Sequence, residues 1–191
     1  MEKTTTTSRL SEEHRHIIDV VNALMDECDS IDKGGDINKA FFTNAISFIR
    51  DYADGYHHSK EEDILFTELA RFDYVRRGPL EQMLREHRIG RQHVAEMERG
   101  LLENNKDLLL SGGRGYADLL VHHIFKEDHV LYPLAEQLLP SEAKQRIISS
   151  FGRIDDVARE LQARYEQFAK DAKQTHTKTE NDNGGGSHAR N

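Results

Sequence analysis

Apolar residues recur every three to four positions along most of the chain, the period of helices that bury one face. The first stripe is Leu10, His14, Ile17, Ile18, Val21, Leu24 and Met25, which predicts a helix from about Ser11 to Ile31 with Ser11 as N-cap. Gly34-Gly35-Asp36 breaks the pattern. A second helix is expected from about Ile37 to Val75, with Ile46, Ile49, Ala53, His57, Glu61, Ile64 and Leu65 along one side. Arg76-Arg77-Gly78-Pro79 reads as a turn, and Pro79 is placed to start a third helix. That helix should reach about Leu110, with Leu80, Met83, Leu84, His87, Val94, Met97 and Leu101 inward. Gly112-Gly113 reads as the separator before a fourth, from about Tyr116 to Leu139. Its stripe is Tyr116, Leu119, Leu120, His123, Glu127, Val130, Leu131 and Leu134, and Pro133 should kink it. A fifth helix is expected from Pro140-Ser141-Glu142 to about Ala172. Its apolar face, Phe151, Ile154, Val157, Ala158, Leu161 and Tyr165, either packs on the bundle, the favoured reading, or supports a homodimer. From Lys173 the chain is polar and contains Gly184-Gly185-Gly186, the composition of a disordered tail. The expected organisation is an all-α protein: an extension over 1–9, a four-helix bundle over 10–140, a C-terminal helix over 141–172 and a tail over 173–191.

Four stripes carry His or Glu where a core would hold only apolar residues. His57-His58-Ser59-Lys60-Glu61-Glu62-Asp63-Ile64-Leu65-Phe66 reappears, in related form, as His123-Ile124-Phe125-Lys126-Glu127-Asp128-His129-Val130-Leu131-Tyr132. Each copy has an upstream partner, Glu13-His14-Arg15 for the first and Glu86-His87-Arg88 for the second. Residues four apart on a helix share a face, so His57 and Glu61 can point together into a bundle, as can His123 and Glu127. His58 and Glu62 form a rival pair at the same spacing. In the second copy His122 faces Lys126, which is no ligand while protonated, so only His123 and Glu127 serve there. Aligning the shared Lys-Glu then selects His57 and Glu61. His16 and His122 fall on polar faces, and His93 lies off the face of His87.

A single His on an apolar stripe is more often a hydrogen-bonded core residue than a metal ligand. Four of them with two Glu on the same faces change that balance, because burying unpaired carboxylates costs on the order of several kcal/mol each. The expected metal set is His14, His57, Glu61, His87, His123 and Glu127. Imidazole and carboxylate together suit iron, manganese or zinc. Two His per ion, two bridging Glu and a solvent-derived oxygen give about five ligands per ion, which leaves an open position.

These residues resemble the hemerythrin-like, HHE cation-binding domains. The likeness rests on Glu13-His14-Arg15, His57-x-x-x-Glu61-Glu62-x-Ile64-Leu65-Phe66, Glu86-His87-Arg88-x-Gly90-Arg91 and His123-x-x-x-Glu127-Asp128-x-x-Leu131-Tyr132-Pro133. It implies an antiparallel up-down bundle around a non-haem di-iron centre with an oxo or hydroxo bridge, with manganese and zinc as lesser alternatives. The oxygen-carrying members have a second His on the third helix, where this chain has Arg91, and a carboxylate at the position of Asp128. The resemblance therefore points away from reversible oxygen storage. It implies instead a protein that binds or reacts with dioxygen, peroxide or nitric oxide, as in peroxide decomposition or the nitrosative-stress response. A non-enzymatic oxygen or iron sensor is the alternative, and a purely structural metal bundle the third reading.

Composition narrows the partners. The formal net charge of −8 argues against nucleic acid, since phosphate binding needs a concentrated basic surface. No apolar run approaches the roughly 20 residues that span a bilayer, and MEKTTTTSRL has no signal-peptide core. The lone Cys28 fits a reducing, cytoplasmic setting, where it is expected to be buried and inert. The expected partners are a small diatomic ligand or peroxide and an external reductant, with the chain a monomer or homodimer. Tyr116, two turns before His123, is expected either to line the metal pocket or to be plain packing.

Overall fold

A computed structural model describes residues 5–184, with side chains over 5–174, and there the chain is all-helical. We number six helices among the described residues. α1 is Ser8–Asp32, α2 spans 39–69, α3 spans 73–102, α4 spans 106–138, α5 is Ser141–Val157 and α6 is Arg159–Gly184. None is long and apolar enough to cross a membrane.

Several boundaries differ from the sequence expectation, each for a local reason. α1 starts one turn early, so Ser11 is no cap; its hydroxyl donates to Asp128 at 2.6 Å. α2 begins after Asn38, whose side chain caps Phe41 N–H at 3.2 Å. It ends at Leu69 rather than Val75, because Phe72 is extended (φ −96°, ψ 106°). Pro79 therefore lies inside α3, in a π-type turn over Arg76–Leu80. The separator between α3 and α4 is not Gly112-Gly113 but Glu103-Asn104-Asn105. There Asn104 takes a left-handed φ of 53° and Asn105 accepts from Leu108 N–H at 3.1 Å. Gly112 sits inside α4 because the two backbones nearly touch: a Cβ there would lie 2.6 Å from the Met97 nitrogen. The expected fifth helix is two, broken at Ala158 (φ −90°, ψ 9°). The second continues to Gly184, past Ala172; the rest of the polar tail, 185–191, lies outside the described residues.

α2 and α4 widen into π-type turns, with i→i+5 hydrogen bonds, over Ile49–His58, Glu61–Leu65 and Glu127–Leu131. The last accommodates Pro133 at the start of the following α-helical segment. It also shifts the phase of the stripe, so that Val130, expected inward, is 54% exposed. Two apolar clusters result. One gathers Ile17, Leu24, Phe48, Tyr52, Met97, Leu120 and Tyr165; the other Leu10, Leu65, Leu69, Met83, Leu131 and Phe151. Along each of α1 to α4 the buried His and Glu fall between residues of the two clusters.

Candidate metal centre

His14 from α1, His57 and Glu61 from α2, His87 from α3, and His123 and Glu127 from α4 converge in that polar layer, all buried. The Nε2 atoms of His14 and His57 lie 3.1 Å apart, and those of His87 and His123 3.0 Å apart. Glu127 reaches His14 at 3.3 Å and His123 at 3.2 Å, while Glu61 reaches His57 at 3.7 Å and His87 at 3.6 Å. Each carboxylate thus spans both imidazole pairs. Two groups could each hold a metal ion, their donor atoms all within 4.8 Å of one another: His14, His57, Glu61 and Glu127; and His58, Glu61, His87 and His123.

His58 is the residue the sequence comparison set aside, and the structure places it in the second group. It is buried, and its ring stacks on His87 with centroids 3.8 Å apart. His57 and His58, adjacent in a π-type stretch of α2, are both buried, one beside each group. The repeat could not reveal this, since the position matching His58 is Ile124. His58 also brings a fifth imidazole to the layer, from α2 rather than from the α3 position that Arg91 occupies.

Each of these imidazoles presents its other nitrogen to a carboxylate. Nδ1 of His14 meets Asp128 at 3.1 Å, His57 meets Glu13 at 2.9 Å and His58 meets Asp54 at 3.2 Å. His87 meets Glu62 at 2.7 Å and His123 meets Glu86 at 2.9 Å. Such partners fix the ring and its tautomer and make Nε2 a better donor toward a metal. The outer shell repeats with the motif: Lys60 bonds Glu13, and Lys126 bonds Glu86. The Glu before each upstream His and the Lys shared by the two copies were visible in the sequence, without a role. Asp54 and Glu62 are both held by Arg91, at 2.9 Å and 2.8 Å.

The protein atoms alone leave the centre unsatisfied. Glu61 Oε2 and both Glu127 oxygens are buried with no hydrogen-bond partner. With each Nδ1 protonated toward its carboxylate, the paired Nε2 lone pairs face each other across about 3 Å. Burial and the charge of Glu127 push the Glu61 carboxyl well above its usual range. Glu127 is held well below it; burial opposes this, but His123 and His14 prevail. His123 rises to about 9 against its burial, through Glu127 and Glu86. Glu62 is held at about 2 by the His87 hydrogen bond, against burial. A cation between the pairs would satisfy the orphaned oxygens and the facing lone pairs together, so the donor set fits metal.

The remaining sequence candidates divide. Tyr116 lines a cavity of about 270 Å³ beside His58, His87 and His123, and its hydroxyl is buried without a partner. Tyr132, unassigned from sequence, donates to Glu61 at 2.6 Å and lies 3.3 Å from His14 Nε2. His122 and His129 are exposed and donate to the carbonyls of Asp118 and Phe125. Cys28 is buried, and burial pushes its thiol up to about 11.

No curated protein and no solved structure matches the chain. The model of the hemerythrin HHE cation-binding domain matches residues 5–135, which include every donor of both groups. The chain belongs to the hemerythrin HHE cation-binding family.

Proposed function

We propose that the chain holds two iron ions between four antiparallel helices and uses them to bind or react with dioxygen, peroxide or nitric oxide. The observation that carries this reading is the set of three orphaned carboxylate oxygens between two imidazole pairs. The order of the apolar clusters supports the antiparallel arrangement. Going along the chain, α1 runs from Leu10 of one to Ile17 of the other, α2 from Ala53 back to Leu65, α3 from Met83 to Val94 and α4 from Leu120 to Leu131. When bound, an iron pair supplies electrons and an open coordination position for a small oxygen or nitrogen ligand.

The chain's own residues make the two sides unequal. The His14 group has two imidazoles and two carboxylates and the His87 group three imidazoles and one carboxylate, so the sides differ in donor type. Tyr132 stands by His14, its hydroxyl bonded to Glu61, as the proton-bearing group nearest that side. Glu13, Asp54, Glu62, Glu86 and Asp128 keep the imidazoles oriented before any ligand arrives. Anaerobic reconstitution should give about two iron per chain and visible absorption after exposure to air or peroxide. A single zinc per chain with no absorption would sink the proposal.

A sensor without turnover is the second reading, favoured by one contact chain. Asp155 on α5 bonds Lys60 at 3.3 Å, Lys60 bonds Glu13, and Glu13 bonds the ligand His57. Occupancy of the centre is thereby linked to the seat of the C-terminal helices. Gas evolution on adding peroxide favours the enzyme. An unreactive centre whose loading alters protease cleavage near Ala158 favours the sensor.

A further inference from the structure

The cavity beside the three-imidazole group is larger than a diatomic ligand or peroxide requires. It measures about 270 Å³, whereas an apolar cavity of roughly 150 Å³ holds a benzene. Its inner wall is His58, His87 and His123, and its sides are Ile49, Val94 and Leu119. Arg50 and Arg91, about half exposed, border the cavity, and each is already paired, with Glu98 and with Asp54 and Glu62. The Tyr116 hydroxyl is buried on this wall and bonds nothing, and a buried polar group with no partner needs a water or a ligand.

We infer that this cavity binds a small aryl or alkyl molecule bearing one hydroxyl-type group, a phenol being the simplest example. The ring or tail would lie against Val94 and Leu119, and the hydroxyl would pair with Tyr116. An anionic ligand fits less well, since both arginines are neutralised and Asp54 and Glu86 also line the space. Gly90 contributes its bare backbone: a Cβ there would rest 3.7 Å from the Tyr116 ring and from Leu119, ordinary contact, so a longer side chain would extend into the cavity. The inference concerns a preformed space and requires no particular metal.

The test titrates 4-fluorophenol and fluorobenzene into the full chain, metal-free and iron-loaded, followed by fluorine NMR. 4-Fluorophenol should bind at one site. Tyr116→Phe should weaken it about fivefold, the worth of one hydrogen bond, and leave fluorobenzene unchanged. Gly90→Leu and, independently, Leu119→Phe should remove binding of both probes. No binding to the parent protein, or binding indifferent to both filling variants, overturns the inference. An equal response of both probes to Tyr116→Phe overturns the assigned role of the hydroxyl. Iron content after reconstitution separates the proposals: normal loading without probe binding defeats only the cavity, and probe binding by a chain that fails to take up iron on reconstitution defeats only the di-iron reading.

Discussion

The two halves of the centre are built from one motif and differ in what covers them. In the first, Lys60 is completely buried; it bonds Glu13 and Asp155 and lies 3.8 Å from the Tyr56 ring centroid. Phe151 and Asp155 of α5 close that side. In the second, the matching Lys126 bonds Glu86 with its side chain 30% exposed, and Glu86, His87 and His123 line the open cavity. Inside, the exchange is reciprocal. His58 faces one group where the repeat has Ile124, and Tyr132 faces the other where the repeat has Phe66, whose ring stacks on His87 at 6.0 Å. Duplication supplies a symmetric cage of imidazole and carboxylate. The departures from symmetry make the sides differ: one has a buried lysine and the Tyr132 hydroxyl, the other a third imidazole and the adjoining cavity.

The sharpest way to break this comparison is to remove the same residue from both halves. Lys60→Met removes a fully buried cation from beside the buried Glu13, which keeps only Tyr56 and His57, so it should cost about 3 kcal/mol, the low end for breaking a buried ion pair. Lys126 is itself 30% exposed, and Glu86, though buried, keeps its contacts with Gln82 and His123, so Lys126→Met should cost about 1 kcal/mol or less. Chemical denaturation of the metal-free proteins measures both, and equal losses would refute the sealed-versus-open distinction.

His58→Ile makes the second half copy the first. Removing one imidazole from the His87 group should lower metal affinity there roughly 10- to 100-fold, the scale on which even outer-shell changes act. Competition with a chelator reads this directly, and unchanged affinity would mean that His58 only packs on His87. The same residue shows where the sequence stops being legible. His14, His57, Glu61, His87, His123 and Glu127 could be read because two copies agree on them and helical spacing puts each on a buried stripe. His58 could not, because its partner in the repeat is Ile124, and because α-helical geometry turns adjacent residues about 100° apart. Yet adjacent residues can both be buried, as Glu13 and His14 are on α1, and local composition does not announce which neighbour reaches the centre.

The fold divides in the same way. The helical class followed from periodicity. The end of α3 did not, since Gly112 and Gly113 look like punctuation. They are contact glycines, packed against Met97 and Cys28, while the turn itself was signed by Asn104 and Asn105. Burial of Lys60 was likewise invisible, because its second anchor, Asp155, lies 95 residues away on a helix whose packing the periodicity left open.

Exchanging the hydroxyl tests the other asymmetry. Tyr132→Phe leaves Glu61 Oε1 without its donor, which should cost the metal-free protein about 1–3 kcal/mol and slow peroxide consumption. Phe66→Tyr should not restore the rate, because its ring lies by His87 rather than by His14. Full activity of Tyr132→Phe, measured as initial peroxide loss at equal iron content, would remove that hydroxyl from the chemistry.

The smallest effect belongs to Arg91 on α3. Its guanidinium bonds Asp54 and Glu62, which in turn hold His58 and His87. It is 42% exposed, so water can replace much of what it gives each carboxylate. Arg91→Gln should therefore cost less than about 1 kcal/mol of stability in the metal-free protein. Its effect on metal should be confined to the His87 group, a few-fold faster loss to a chelator with no change at the His14 group. The opposite outcome, equal loss from both, would show that the two groups empty as one unit and that the asymmetry of the shell does not reach the ions it surrounds.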